Sequence, residues 1–312
     1  MKGVGWYGID STPSWYRMNS DFFNFLVSTF PSIDLLNLFV SLPWSDTKIG
    51  WLDQFIEWCR PHGIRILVVN DANTLDETTL TDYWSAVASK YKADPVIAAF
   101  DLINEPWAFA EGDETIVELY ERVIDAIRAE DPTRTCFVQG MYKHPVGLGW
   151  VRTHPVNRGN IVYVSHLYSN NANTGEYYGA TDCPWNAYYQ ARDYPQAREV
   201  LTSGLYDRFG FVKTELGLPV AIPEVAFLPT EEGVTYGDDV LTLFNSWGID
   251  WSYWQWYSNL DRPMNITTPD GTLRGDIYRV VQNNMVVPSL PFHDDFADLS
   301  KWKTIKGDWT IR

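Results

Sequence analysis

Two short apolar runs in this chain each end on a glutamate. The first is Ala98-Ala99-Phe100-Asp101-Leu102-Ile103-Asn104-Glu105-Pro106, the second Leu218-Pro219-Val220-Ala221-Ile222-Pro223-Glu224. Runs of this length and composition read as buried strands. Pro106 cannot donate a ladder hydrogen bond, so the first strand should stop there. Each glutamate then sits at a strand's carboxyl end, Glu105 with the Asn104 amide beside it. A pair of carboxyl groups is what opening a glycosidic bond requires. One donates a proton to the leaving oxygen while the other attacks the sugar carbon or activates water. A lone strand-end Glu is ordinarily half of a surface ion pair; two at matching strand ends are much harder to obtain by chance. A gap of roughly 5–5.5 Å between them would imply retention of configuration through a covalent glycosyl-enzyme.

Other predicted strand ends add polar and flat groups. Val164-Ser165-His166-Leu167-Tyr168 puts His166 and Tyr168 on one side of a strand, since side chains alternate. A phenol beside a carboxylate donates a hydrogen bond that orients it and tunes its basicity, although His-x-Tyr is also common as a satisfied core pair. Tyr253-Trp254-Gln255-Trp256 ends a further strand, where an indole either floors a sugar site or fills core. Trp44, Trp107 and Trp185 are expected at or near the same mouth, and Asn70-Asp71 closes another strand.

These groups need a frame that brings distant strand ends together. Apolar runs near Gly3–Ile9, Ile33–Leu42, Ile64–Val69, Ala98–Asn104, Thr133–Gln139, Ile161–His166, Leu218–Glu224 and Ile249–Trp256 read as strands. Stripes at helical spacing lie between them, such as Leu52, Phe55, Ile56 and Cys59, or Ile116, Tyr120, Val123 and Ile127. The segment after strand five is broken by Gly and Pro, so its helix should be brief; Gly204 and Gly210 weaken the next. Of the seven intervals between strand ends, six span 28 to 35 residues, one strand-helix unit each. Such alternation points to a parallel sheet, and eight units to an α/β fold of the closed (β/α)₈ barrel type, whose catalytic groups sit at the strands' carboxyl ends. Strands four and seven then face each other across the mouth. A doubly wound open sheet would usually carry G-x-G-x-x-G after strand one, and none is present.

The exceptional interval, 57 residues after strand six, carries Tyr177, Tyr178, Trp185, Tyr188 and Tyr189 and is expected to overhang the mouth. Residues 1–287 form the expected barrel. Residues 288–312 change character: after a Pro-rich linker, His293-Asp294-Asp295-Phe296 to Trp309 is similar to the opening strand of β-sandwich modules appended to polysaccharide enzymes.

Net charge −16 argues against nucleic acid and anionic membrane as partners, and no apolar span is long enough for a transmembrane helix. Aromatic residues make up 15 % of the chain, with 15 Trp and 18 Tyr, enough to supply stacking surfaces for sugar rings. Cys59, Cys136 and Cys183 have neither metal spacing nor an even count and read as thiols, the first two in the core. A metal-dependent barrel hydrolase needs His and Asp clusters at strand ends. His166 alone is so placed, so neither metal nor cofactor is expected.

Taken together, Asn104-Glu105-Pro106, His166-Leu167-Tyr168, Glu224 and Trp254, each at its strand end and in this order, resemble the clan A glycoside hydrolases, most of all family 5. The resemblance covers about residues 1–285. It implies Glu105 as acid/base, Glu224 as nucleophile and Asn104 as the amide that binds the sugar 2-hydroxyl. It implies Tyr168 bonded to Glu224, Trp254 lining the cleaving subsite, and His166 completing the polar wall. Two departures stand out. The family's Arg near the end of strand two is replaced by Ser41, and its His at the end of strand three is replaced near Asn70-Asp71. Glu224 is therefore expected to rely on Tyr168 and other donors. Several indoles (Trp44, Trp107, Trp254, Trp256) suggest several sugar rings, hence an endo-acting, retaining β-glycosidase on a β-1,4-linked glucan or mannan, monomeric and extracellular. The alternatives are a non-catalytic carbohydrate-binding barrel and an exo-acting β-glycosidase.

Overall fold

A computed structural model describes residues 1–6, 20–40, 45–71, 76–106, 113–140, 147–170, 176–179, 182–257, 262–268 and 270–285. Eight strands run β1 (Lys2–Trp6), β2 (Leu35–Phe39), β3 (Arg65–Val69), β4 (Ile97–Asp101), β5 (Thr135–Gln139), β6 (Ile161–Tyr168), β7 (Val220–Ala226) and β8 (Asp250–Tyr257). All pairings are parallel and follow chain order, and β8 pairs back onto β1 to close the barrel. Expected strand and observed strand coincide eight times. The boundaries tighten by a few residues, because an apolar run continues into the turn after its ladder ends.

The helices are α1 (Ser20–Thr29), α2 (Asp46–Cys59), α3 (Glu77–Lys90), α4 (Asp113–Glu130), α5 (Asn186–Gln190), α6 (Tyr194–Leu205), α7 (Phe211–Thr214), α8 (Glu231–Trp247) and α9 (Gly275–Met285). Each long helix buries one stripe against the barrel: Leu52, Phe55, Ile56 and Cys59 in α2, and Leu80, Tyr83, Trp84 and Val87 in α3. Caps set their limits. The Asp76 carboxylate accepts from the Thr79 N–H at the start of α3, and Gly248, at φ 66°, takes the left-handed turn that ends α8. Between β5 and β6 the described residues hold only a 3₁₀ turn, Gly149–Arg152, the brief helix expected there. The next helix stops one residue after Gly204, and a π turn over Tyr206–Gly210 separates α6 from α7. Gly204 lets Trp185 lie against α6, and a Cβ there would stand 2.9 Å from the indole.

Two irregularities in the ladder matter for the site. Between Ala221 and Glu224, β7 uses one residue more than β6, which advances only from Val164 to His166. The extra residue is at Pro223, whose missing N–H breaks the ladder, and a bulge of this kind reverses which face the next side chain takes. Without it Glu224 would share the face of Ile222. Between Tyr253 and Tyr257, β8 likewise advances four residues while β1 advances two. Trp254 and Trp256, two apart, end on different faces.

Among the described residues no helix is long and apolar enough to cross a membrane. Cys59, Cys136 and Cys183 are buried free thiols. Residues 286–312, the expected linker and appended module, lie outside the described residues.

Candidate active site

β4 ends at Asp101, four residues short of Glu105. The turn that follows is tied to the end of β3. The Asn104 N–H donates to the Asn70 carbonyl at 2.8 Å, and Asn70 Nδ2 donates to the Leu102 carbonyl at 3.2 Å. Trp84 Nε1 reaches the same Leu102 carbonyl from α3 at 3.0 Å. Glu105 takes a left-handed backbone, φ 45°, which a non-glycine residue adopts at a cost of roughly 1–3 kcal/mol. Gln139, ending β5, holds it there: its Oε1 accepts the Glu105 N–H at 3.1 Å. That bond orients the whole amide chain. Gln139 Nε2 must then donate, to Asp101 Oδ2 at 3.0 Å and Asn104 Oδ1 at 3.3 Å. Asn104 is left to donate through Nδ2, to Asp71 Oδ1 at 3.1 Å.

The Pro223 bulge presents Glu224 to the same space. Its backbone is held across the barrel interior by Asn37 of β2, whose Nδ2 donates to the Pro223 carbonyl at 2.6 Å. The Tyr168 hydroxyl donates to Glu224 Oε2. His166, fully buried on β6, stands between the acids, its Nδ1 2.9 Å from Glu105 Oε1 and 3.6 Å from Glu224 Oε2. One ligand-type atom from each of Glu105, His166 and Glu224 lies within 4.8 Å of the others. These three could also offer ligands to a metal ion. A proton on Nδ1 bonds Glu105, and Glu224 stands at ion-pair distance from it. The Glu105 side chain is 19 % exposed and that of Glu224 7 %.

The electrostatics follow from this crowding. Burial pushes the Glu224 carboxyl up, to about 8; the Glu105 charge adds to this, while His166 and Tyr168 pull it back. Burial alone would lower His166. The charge of Glu224, the hydrogen bond that the ring donates to Glu105 and the charge of Asp101 overcome it and raise the imidazole to about 9. Burial raises Asp101 to about 7, against His166 and Gln139.

Trp254, 6 % exposed, lies at the same end, its ring 4.7 Å from that of Phe39. Gly5 makes room for it: a Cβ there would come within 2.4 Å of the indole. Tyr178, after β6, feels the charge of Glu105, although burial is the larger cause of its raised pKa.

The structure brings Asn104, Glu105, His166, Tyr168, Glu224 and Trp254 together. It places three others elsewhere. Trp256 is fully buried against Phe22 and Phe25 of α1, 5.5 and 5.4 Å between rings, because the β8 irregularity turns it toward the helix layer. Trp185 is fully buried beneath the Arg208 guanidinium, 4.7 Å away. Asn70 is fully buried and spends its amide on the β4 turn, a support to Asn104 rather than a surface for sugar. Trp44, Trp107 and Ser41 lie outside the described residues. Gln139, Asn37 and Gly5 were not singled out from sequence, and Asp71 only as the close of a strand. The one signal that pointed to this part of the frame was Pro223 inside an apolar strand, which marks a bulge.

Residues 43–260 match the family described as Cellulase (glycosyl hydrolase family 5). No curated protein matches the chain. Among solved structures, the fold is similar to a hyperthermophilic endocellulase from the archaeon Pyrococcus horikoshii (TM-score 0.71, 19 % identity, covering 91 % of this chain and 92 % of that one). It is similar also to a β-glucanase from Saccharophagus degradans in complex with cellotetraose (0.70, 18 %, 91 % and 88 %). A third is Thermotoga maritima Cel5A in complex with mannotriose (0.70, 14 %, 90 % and 96 %). At these identities the likeness to solved structures is one of fold.

Proposed function

The chain belongs to glycosyl hydrolase family 5, and from that premise we propose that it is a retaining, endo-acting β-glycosidase on a β-1,4-linked glucan or mannan. The observation that carries the reading is the approach of the two strand-end glutamates to within 4.8 Å, with His166 between them. That spacing suits an attacking carboxylate better than the wider gap that leaves room for a water.

In this reading Glu224 attacks the anomeric carbon while Glu105 gives its proton to the leaving oxygen. The glycosidic C–O bond breaks as the Glu224 ester forms. Water then attacks the ester, Glu105 takes the water's proton, and the sugar leaves with its original configuration. Tyr168 and His166 act against burial in favour of the ionised Glu224 that the attack needs. Asn104, its orientation set by Gln139 and Asp71, offers the amide for the neighbouring sugar hydroxyl. Trp254 supplies a flat apolar face against which the C–H groups of a sugar ring can pack. The glucan and mannan choice draws on the cellotetraose and mannotriose complexes of the structural neighbours.

The test is reducing-sugar release from cellulose, mixed-linkage β-glucan, mannan and xylan by the parent, Glu105→Gln and Glu224→Gln. The expected result is release from glucan or mannan by the parent, lost by roughly 10²–10⁴-fold or more in each variant. Equal release by parent and variants would remove the reading. Binding without release would favour a non-catalytic barrel.

A further inference from the structure

Tyr168, whose hydroxyl bonds Glu224, is the last residue of β6, and the strand is supported unevenly at that end. The ladder with β5 stops at the pair Gln139–Val164, whereas the ladder with β7 runs on to Tyr168–Ala226. Beyond Val164, β6 therefore has a ladder on one side only among the described residues, and a strand end held on one side opens more readily than one held on both. A hydroxyl bond weakens steeply with distance and angle, so the Tyr168 backbone needs other support. The excursion between β6 and β7 supplies it. The Cys183 thiol donates to the Tyr168 carbonyl at 3.5 Å. One residue on, the Ser169 carbonyl accepts the Tyr178 N–H at 3.1 Å and Asn186 Nδ2 at 2.8 Å, and the same Nδ2 donates to the Tyr178 carbonyl at 2.9 Å. Beside them Asn170 and Tyr177 form an antiparallel bridge, and the Tyr177 hydroxyl meets Thr230 Oγ1, the N-cap of α8, at 3.1 Å. Asn186 is buried, 3 % exposed, and both protons of its amide are engaged.

We propose that Asn186 is a positioning residue for the reaction: by fixing the turn after β6 it keeps the Tyr168 hydroxyl on Glu224 Oε2. The amide is itself held in place. Its neighbour Trp185 is fully buried, packed against Gly204 and against the Arg208 guanidinium 4.7 Å away. Arg208 Nη2 donates to the Asp182 carbonyl, the Cys183 N–H donates to the Gly179 carbonyl at 2.8 Å, and the Asn186 N–H to the Cys183 carbonyl at 3.0 Å. A packed indole thus sets the amide, the amide sets the turn, and the turn sets the phenol that aims the attacking carboxylate. Cys183 adds a second, weaker tie to the same strand end. The long excursion then has a task in the frame of the site as well as any it has toward substrate.

For its effect on catalysis this rests on the glutamate-pair reading, so the first measurement is made on the phenol itself. The protein is labelled with ¹³C in tyrosine, and the Tyr168 ring is assigned by its loss in Tyr168→Phe. Expected is a Cζ resonance displaced from that of an exposed tyrosine in the parent, and a return toward it in Asn186→Ala. In steady-state kinetics Asn186→Ala should lower kcat by roughly tenfold or more with KM unchanged. The double variant with Tyr168→Phe should be no slower than Tyr168→Phe alone, because both changes act through one bond. If Asn186→Ala does not fold, the Cys183 pair carries the same comparison: Cys183→Ala should move the Tyr168 resonance and Cys183→Ser, which keeps a donor, should restore it. A Tyr168 resonance that stays with the parent in the variants overturns the proposal. So do losses that multiply in the double variant, or a KM that rises at constant kcat. Absence of glycosidase activity with the resonance result intact would instead strike the functional reading.

Discussion

Glu105 and Glu224 are held by different means, and each can be loosened separately. At Glu224, Tyr168 and His166 favour the ionised form while burial and the charge of Glu105 oppose it. Tyr168→Phe removes one hydrogen bond to a charged acceptor, worth about 1.5–3 kcal/mol. The Glu224 carboxyl should rise by about one pH unit or more, and the acid limb of kcat/KM should move up with it. A pH-rate profile superimposable on that of the parent contradicts this role. Glu105 is held through its backbone. Gln139→Leu leaves the Glu105 N–H and Asp101 Oδ2 without their partner, so kcat should drop by roughly an order of magnitude and stability by about 1–3 kcal/mol. A stability loss with kcat intact would mean that Gln139 supports the fold alone. Sequence reasoning reached the groups that touch substrate in this reading, because reacting atoms need particular residue types. It passed over Gln139, because an amide at a strand end has no chemistry of its own and acquires a task only from what surrounds it.

At the scale of elements, β7 decides where Glu224 points. Its bulge turns the carboxyl inward, and the Asn37 amide of β2, reaching across the interior, holds the Pro223 carbonyl. Asn37→Ala should cost about 1–3 kcal/mol by leaving that carbonyl unsatisfied, and should lower kcat more than KM, since Glu224 loses its aim while Trp254 and Tyr178 remain. Chemical denaturation and steady-state kinetics on one preparation check both; an unchanged kcat would mean that the bulge holds without Asn37. The same element shows where alternation fails as a guide. Counting by twos placed His166 and Tyr168 on one face correctly, since β6 is regular through that stretch. It put Trp256 beside Trp254 wrongly, because β8 gains two residues over β1 between Tyr253 and Tyr257. The proline in β7 was a legible warning; the irregularity in β8 had no such mark. The helix layer was legible for another reason: α2, α3 and α4 repeat their apolar positions over several turns, and one local accident cannot erase that pattern.

At the scale of the molecule, closure of the ring brings residues 105 and 224 onto one space, and the crowding of acids there has a thermodynamic consequence. Asp101, His166 and Glu224 all hold protons more tightly folded than is ordinary for their types. A group whose folded pKa is raised stabilises the fold below its unfolded value and loses that contribution as pH climbs through the folded one. For His166 the loss runs from pH 6.5 to about 9, and for Glu224 from 4.5 to about 8. The lowered carboxyls of Asp125 and Glu215 titrate only at more acid pH and do not oppose it. The denaturation midpoint should therefore fall between pH 6 and 9, and a flat or rising midpoint would contradict this electrostatic picture. The barrel itself was legible because eight strands, six of whose seven intervals are alike, leave few topologies open. Which indoles face the mouth was not, since a tryptophan suits core and sugar equally well. The account turns on a bond between Glu224 and the anomeric carbon. Its most direct measurement is mass spectrometry of the parent after reaction with an activated 2-deoxy-2-fluoro cello- or manno-oligosaccharide. A single glycosyl adduct on the peptide that carries Glu224 is the predicted result; an adduct on Glu105, or turnover with inverted configuration and no adduct, would contradict it.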